Sequence, residues 1–377
     1  MRFKMKEIMT FKSGKFYFCD IYDNALINNL LVRAVVLNET VVDLPILPEL
    51  SSRLEPDIMY SSISGTAMIE GNPIIGEDVK RIAEGEDIVS YTQKDKQEIK
   101  NLINAYNWLT GITPSEEPFI LTEEIIKELH KIITNNVPHE NNIPGQYRNE
   151  IVYVGDIAHG GKYTPPKILA DIKNIMTEFV AWINSDEIKK LNPFIRSALA
   201  HYHFCLIHPF GDGNGRTSRI IEALLLQTSN VKYVPRELSN YYYRNVDDYY
   251  IAFSKSIKLK KDVTPFLEFM LKASIESLQG IKESIIFFIR KFTLRDYFAF
   301  EKTHKRITRR QFELLLLLLD NHIGFTLKDL QEKSPFLVLY NKVSTQTARR
   351  DIKKLADKNI LHVLNDNKYY LNLRALG

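Results

Sequence analysis

Cysteine is almost missing from this chain: among 377 residues there are two, Cys19 and Cys205. A disulfide framework is thereby excluded, and Cys205, set in an apolar helical pattern, points to buried thiols in a reducing compartment. Long apolar runs are missing as well, since the longest unbroken one, Leu314 to Leu319, is far too short to cross a bilayer. The opening Met1-Arg-Phe-Lys-Met-Lys is charged and has no apolar stretch behind it, unlike a secretory leader. A cytoplasmic protein with no membrane partner is expected. There is no internal repeat and no low-complexity tract, and a 45% hydrophobic content suits two or three packed domains rather than disorder. Net charge is also slight, +4, but it is uneven: residues 301–377 carry 15 Lys/Arg against 8 Asp/Glu, a net of +7, which leaves −3 for the rest.

What is present is concentrated in one stretch, His208-Pro-Phe-Gly-Asp-Gly-Asn-Gly-Arg-Thr-Ser-Arg219. Asn192 to Ile207 before it and Arg216 to Gln227 after it have helical apolar spacing, so the stretch is a helix-loop-helix joint. Its glycines allow turns that side chains forbid and bring backbone N–H groups close to a ligand. At the start of the second helix those donors and the macrodipole favour an anion, over which Arg216 and Arg219, three apart, can both lean. The loop is a phosphate cradle without the Walker spacing, and its glycines follow a helix, not the strand of a dinucleotide fold. Asp212 inside an anion site implies a hard cation, Mg²⁺. His208, titrating near neutrality, suits a general base. A zinc site at His201, His203 and His208 is disfavoured, because helical positions two apart face nearly opposite sides.

His208-x-Phe210-x-Asp212-Gly213-Asn214-Gly215-Arg216-x-x-Arg219 resembles the signature of Fic-domain proteins at every defining position. The resemblance, which covers about residues 60 to 270, implies a helical core and transfer of AMP from ATP to a hydroxyl side chain of a target protein. By it, His208 would deprotonate that hydroxyl and Asp212 would hold Mg²⁺. Asn214 and the N–H groups of Gly213 and Gly215 would hold the α-phosphate, and Arg216 and Arg219 the outer phosphates.

Upstream, the sequence turns helical from Pro56 and reaches Thr66-Ala-Met-Ile-Glu70-Gly71-Asn72, closed by Pro73. A carboxylate near a helix C-terminus opposes the local dipole, which suggests a tertiary cationic partner for Glu70. Thr66, Glu70 and Gly71 resemble the family's inhibitory motif, in which the glutamate pairs with the second arginine and blocks the γ-phosphate.

Elsewhere, Lys15 to Cys19 and Val35 to Leu37 are expected to be extended, and Lys96 to Leu109 and Thr122 to Val137 to be amphipathic helices. Ile151, Val152, Tyr153 and Val154, with Tyr163 to Pro166 after a glycine-rich interval, predict a β-hairpin or flap. Its free strand edge can pair with a target segment, or it merely covers the core. Tyr249 and Tyr250 lie near the distance at which the family has the Tyr-Tyr of its adenine pocket, which the resemblance implies they line, although this chain is a residue or two longer just beyond.

The carboxy-terminal residues predict helices over Gln311 to Asn321, Thr326 to Glu332 and Ser344 to Leu355, then strands over Ile360 to Val363 and Tyr369 to Leu373 around a turn at Asn365 to Lys368. This order resembles a winged helix-turn-helix. Thr345, Gln346, Arg349, Arg350 and Lys353 would face duplex DNA, or the domain would serve protein contacts.

The expected fold class is mainly α, a Fic-type helical core with a small β-hairpin flap and a carboxy-terminal winged helix. The expected segments are an inhibitory region (1–100), the core (101–285), a linker helix (286–305) and the winged helix (306–377). The expected function is a protein adenylyltransferase restrained by Glu70. The alternatives are a DNA-binding regulator that senses a nucleotide and an enzyme that removes AMP, and homodimerisation is open.

Overall fold

The computed structural model describes residues 5–46, 48–259, 262–364 and 366–376, with backbone alone for 49, 50 and 53. Asn365, expected in the last turn, lies outside the described residues, as do residues 1–4. The chain is mainly helical and separates into two compact units, Met1–Ile281 and Lys282–Gly377.

In the first unit, strands Met5–Met9 and Lys15–Cys19 pair antiparallel, Met5 opposite Cys19 and Met9 opposite Lys15. The Asp171 carboxylate accepts from the N–H groups of Phe11, Lys12 and Ser13, closing the connecting turn. Val35 to Leu37, expected to be extended because of its β-branched residues, lies inside the helix Asn24–Asp43. Asp23 starts that helix by accepting from Ala25 and Leu26 N–H, and Ile27, Leu30, Ala34 and Val41 recur at helical spacing on the buried side. By length and composition this helix is apolar enough to cross a membrane.

The helix expected from Pro56 runs from Pro48 to Ile69 with Pro56 inside it, a proline that packing tolerates. Gly65 is what lets it dock: a methyl group there would collide with the backbone of Ser239 and Asn240, so the helix lies directly on helix Leu238–Arg244. Glu70 follows its last residue, and Gly71 has φ of 86°, a left-handed turn that glycine adopts freely.

At the centre are helices Pro193–Ile207 and Asn214–Gln227, in which nearly every residue is buried. A helix apolar on one side packs on a core, whereas helices buried all round are the core. Asn192 caps the first by accepting from Phe194 N–H, with Pro193 at its first position. Helices Gln93–Thr110, Glu123–Thr134 and Leu169–Ile183 surround them, the first two capped by Thr92 and Thr122.

In the second unit, helices Arg309–Asn321 and Thr345–Asp357 and the antiparallel strands Leu361–Val363 and Tyr369–Leu371 enclose Leu314, Leu318, Phe325, Ile352 and Leu355. The expected helix over Thr326 to Glu332 is shorter, Asp329–Glu332, and Leu337–Tyr340 adds a turn that spacing did not reveal.

Candidate active site

The joint between the two central helices is built by backbone conformations that few residues accept. His208 caps the first helix in the left-handed region (φ 48°), its N–H donating to Phe204 O at 2.9 Å. Gly213, also left-handed (φ 74°), precedes Asn214, where the second helix begins. The Asn214 side chain closes the loop on itself, accepting from Phe210 N–H (2.9 Å) and donating to Phe210 O (2.8 Å). It is thus committed to the loop, and the helix start offers backbone N–H groups to an anion.

Two residues that spacing did not single out hold the loop. His130 accepts from Gly145 N–H at Nδ1 (2.9 Å), so its proton is on Nε2, which donates to Asp212 O (2.9 Å). Burial lowers its pKa to about 4, and its ring stacks on Phe210 at 3.6 Å between centroids. Arg148, also buried, donates from Nε to His208 O (2.7 Å) and from its other nitrogens to Glu150 O and Pro166 O. It therefore ties the loop to both ends of the flap. Burial lowers its pKa to about 10, and it remains a cation at neutral pH.

His208 is pushed down to about 4, chiefly by burial and then by the Arg148 charge, so its imidazole is neutral at pH 7. Asp212 donates no proton either: burial would raise its pKa, but the Arg216 guanidinium, 2.8 Å away, holds it below the ordinary carboxylate value.

The carboxylate of Glu70 reaches the first turn of helix Asn214–Gln227. A methyl group at Gly215 would collide with Glu70 Oε1, and Arg219 Nη2 donates to the same oxygen at 2.6 Å. Arg219 Nε also donates to Thr66 Oγ1 (2.5 Å), and Nη2 to Thr66 O (3.2 Å). Burial would lower the pKa of Arg219, but the Glu70 charge and hydrogen bond, together with Tyr249 and Tyr250, make the net shift upward.

A cavity of about 490 Å³ opens beside this pair, lined among others by Glu70, His208, Gly215, Arg219, Tyr249 and Tyr250. Tyr153 and Val154 line it from the flap, whereas Ile151, Val152, Asp212, Gly213, Asn214 and Arg216 do not line it. Nor do Thr66 and Gly71, which act behind Glu70. The flap is narrower than the hairpin expected: a single antiparallel bridge joins Val154 and Tyr163. His159 at its tip meets Asp156 (2.9 Å) and Asp247 (3.0 Å), its ring 5.2 Å from that of Tyr250.

Tyr249 is almost wholly buried, its hydroxyl 2.8 Å from His201 Nε2, while His201 Nδ1 lies 3.0 Å from Glu222. Burial opposes charge on His201, but the Glu222 carboxylate raises its pKa to about 9. His203 faces the other way, its Nε2 2.9 Å from Cys19 O. In the second unit Thr345, Gln346, Arg349, Arg350 and Lys353 are all exposed on one helix, whose Ala348, Ile352 and Leu355 are buried.

Residues 120–226 match the family model described as the Fic/DOC family. The chain is 28% identical over 228 residues to the protein adenylyltransferase Fic of Aedes aegypti, and 27% identical over 231 residues to protein adenylyltransferase fic-1 of Caenorhabditis elegans. Each alignment covers 60% of this chain and 42% of the relative, so the chain matches less than half the length of these curated relatives. Among solved structures it is similar to a Fic family protein from Desulfovibrio desulfuricans G20, with a TM-score of 0.59 and 20% identity over 94% of this chain and 98% of that one. A fragment of Fic-1 from C. elegans gives 0.57 and 24% identity, covering 70% of this chain and 73% of that one. These likenesses carry the helical fold of the core.

Proposed function

We propose that the chain is a protein adenylyltransferase that moves AMP from ATP to a Ser, Thr or Tyr hydroxyl of a target protein, and that Glu70 restrains it. The observation that carries this is the position of the Glu70 carboxylate: it occupies the start of helix Asn214–Gln227 and the guanidinium of Arg219, the two features that would bind a phosphate. The names of the relatives support the chemistry.

In this account the backbone N–H groups at Gly213 to Gly215 and the two arginines orient the phosphates, and Tyr249 and Tyr250 flank the base. His208 has the protonation state a base needs, a neutral imidazole in the cavity wall, and takes the proton of the incoming hydroxyl. The flap, with Ile151 and Tyr153 exposed, holds an extended target segment. Asp212 is a fitting ligand for Mg²⁺, which is bound through one or two carboxylates and the substrate's own phosphates. When bound, the ion offsets the charge that develops on those phosphates. With Glu70 in place the outer phosphates lose Arg219, and ATP sits unproductively.

For the second unit the exposed basic helix Thr345–Asp357 and the strand pair after it support a winged helix-turn-helix that binds duplex DNA.

The test is to incubate the Glu70→Gly protein with ATP labelled on the α- or the γ-phosphate. Protein-bound α-label alone is expected. Transfer of the γ-label would show phosphoryl rather than adenylyl transfer, and no transfer of either would leave the site without this activity.

A further inference from the structure

Arg216 is shared by two carboxylates. Its Nη2 lies 2.8 Å from Asp212 Oδ2 and its Nη1 3.5 Å from Glu98 Oε1, on helix Gln93–Thr110. The arginine side chain is 4% exposed and its Nε has no hydrogen-bond partner among the described residues, so these carboxylates are its counter-charges. Glu98 is itself held: Asn72 Nδ2 donates to its Oε2 (2.9 Å) and to Asp95 O (3.1 Å), while Asn72 Oδ1 accepts from Ile74 N–H (3.1 Å). Asn72 is buried and follows Gly71, so one turn reaches both arginines of the loop: Arg219 directly through Glu70, and Arg216 through Asn72 and Glu98.

We propose that Glu98 is a positioning residue of the nucleotide site, the counter-charge that retains Arg216 when Asp212 turns to a divalent cation. This rests on the assignment of Asp212 as the metal ligand. A buried guanidinium stripped of its only carboxylate is strongly destabilised. If Asp212 were its sole carboxylate, every metal-binding event would draw that counter-charge away and leave the buried cation to the phosphates alone, so the metal would be opposed by the arginine. Glu98 removes the conflict because it faces the other terminal nitrogen. Asn72 keeps the glutamate at that distance, and it belongs to the turn that carries the inhibitory carboxylate.

The experiment uses the full chain carrying Glu70→Gly, so that inhibition is absent. Mn²⁺ is titrated by electron paramagnetic resonance with an ATP analogue whose α- and β-phosphates are joined by methylene, and analogue binding is measured separately without metal. Glu98→Gln should weaken Mn²⁺ about 10- to 100-fold, as loss of an outer-shell partner does, and leave metal-free analogue binding within about twofold. Unchanged Mn²⁺ affinity, or equal losses of metal-free and metal-loaded binding, would overturn the proposal. If Glu98→Gln does not fold, Asn72→Ala, which frees Glu98 without removing its charge, should shift Mn²⁺ in the same direction. Asp212→Asn separates the premises: if it leaves Mn²⁺ binding intact, the metal assignment fails. If it abolishes binding while Glu98→Gln and Asn72→Ala do not weaken it, only the proposal for Glu98 fails.

Discussion

Glu70 Oε1 lies 2.6 Å from Arg219 Nη2, and the same oxygen rests against Gly215, so a carboxylate from the end of one helix fills the anion position at the start of another. The guanidinium has 2% of its side chain exposed and the carboxylate 32%, which makes the glutamate the partner that can leave. A hydrogen bond to a charged group contributes roughly 1.5–3 kcal/mol. Glu70→Gly should therefore tighten ATP binding by about ten- to a hundredfold by isothermal titration, and Arg219→Ala should not. Equal affinities for wild type and Glu70→Gly would mean that the pair does not compete with the nucleotide.

Removing the imidazole should separate chemistry from binding. In the Glu70→Gly background, His208→Ala is expected to cut the AMP transfer rate by about 10²- to 10⁴-fold, with the ATP dissociation constant nearly unchanged. Loss of binding in parallel with rate would place His208 in the cradle and not in proton transfer.

The flap should loosen with rising pH. Asp247 first and then Asp156 raise the pKa of His159 above its ordinary 6.5. A raised value in the folded state means that the latch is fully formed below 6.5 and is lost as pH climbs through the higher folded value. Hydrogen exchange of the 155–162 amides, corrected for intrinsic rates, should quicken above that window, and His159→Asn should abolish the dependence. A flap equally protected at all pH values in the wild type would contradict the latch.

Much of the site was legible because its logic is local. A left-handed turn between two helical periods, glycines at a helix start and two arginines one turn apart can be recognised in twelve consecutive residues. Glu70 was legible for a similar reason, as a charge placed against its own helix dipole. Glu98, His130 and Arg148 were not, because each acquires its role only when distant segments pack: nothing near Arg148 in sequence announces that it will bond His208 O and Pro166 O. Val35 to Leu37 misled for the opposite reason. Its β-branched residues favour strands, yet the Asp23 cap and the apolar period of Ile27, Leu30, Ala34 and Val41 prevail. The apolar run Ile151 to Val154 and the segment from Tyr163 yielded one bridge, since glycines at 155, 160 and 161 take positive φ and turn the chain away from pairing.

The basic helix of the second unit should bind DNA mainly through phosphates. If about four are neutralised, log affinity should fall with log salt at a slope near −3.6, roughly −0.9 per contact. Arg349→Ala with Arg350→Ala in the full chain should flatten the slope by about two units. Affinity absent at low salt, or indifferent to both arginines, would point to a protein-docking role for this unit.

The most direct measurement of the central claim is intact mass after incubation with ATP and Mg²⁺, comparing wild type, Glu70→Gly and the double variant Glu70→Gly/His208→Ala. A gain of one or more AMP units in Glu70→Gly, little in wild type and none in the double variant is the predicted result. Equal labelling of wild type and Glu70→Gly, or labelling that survives the loss of His208, would contradict it.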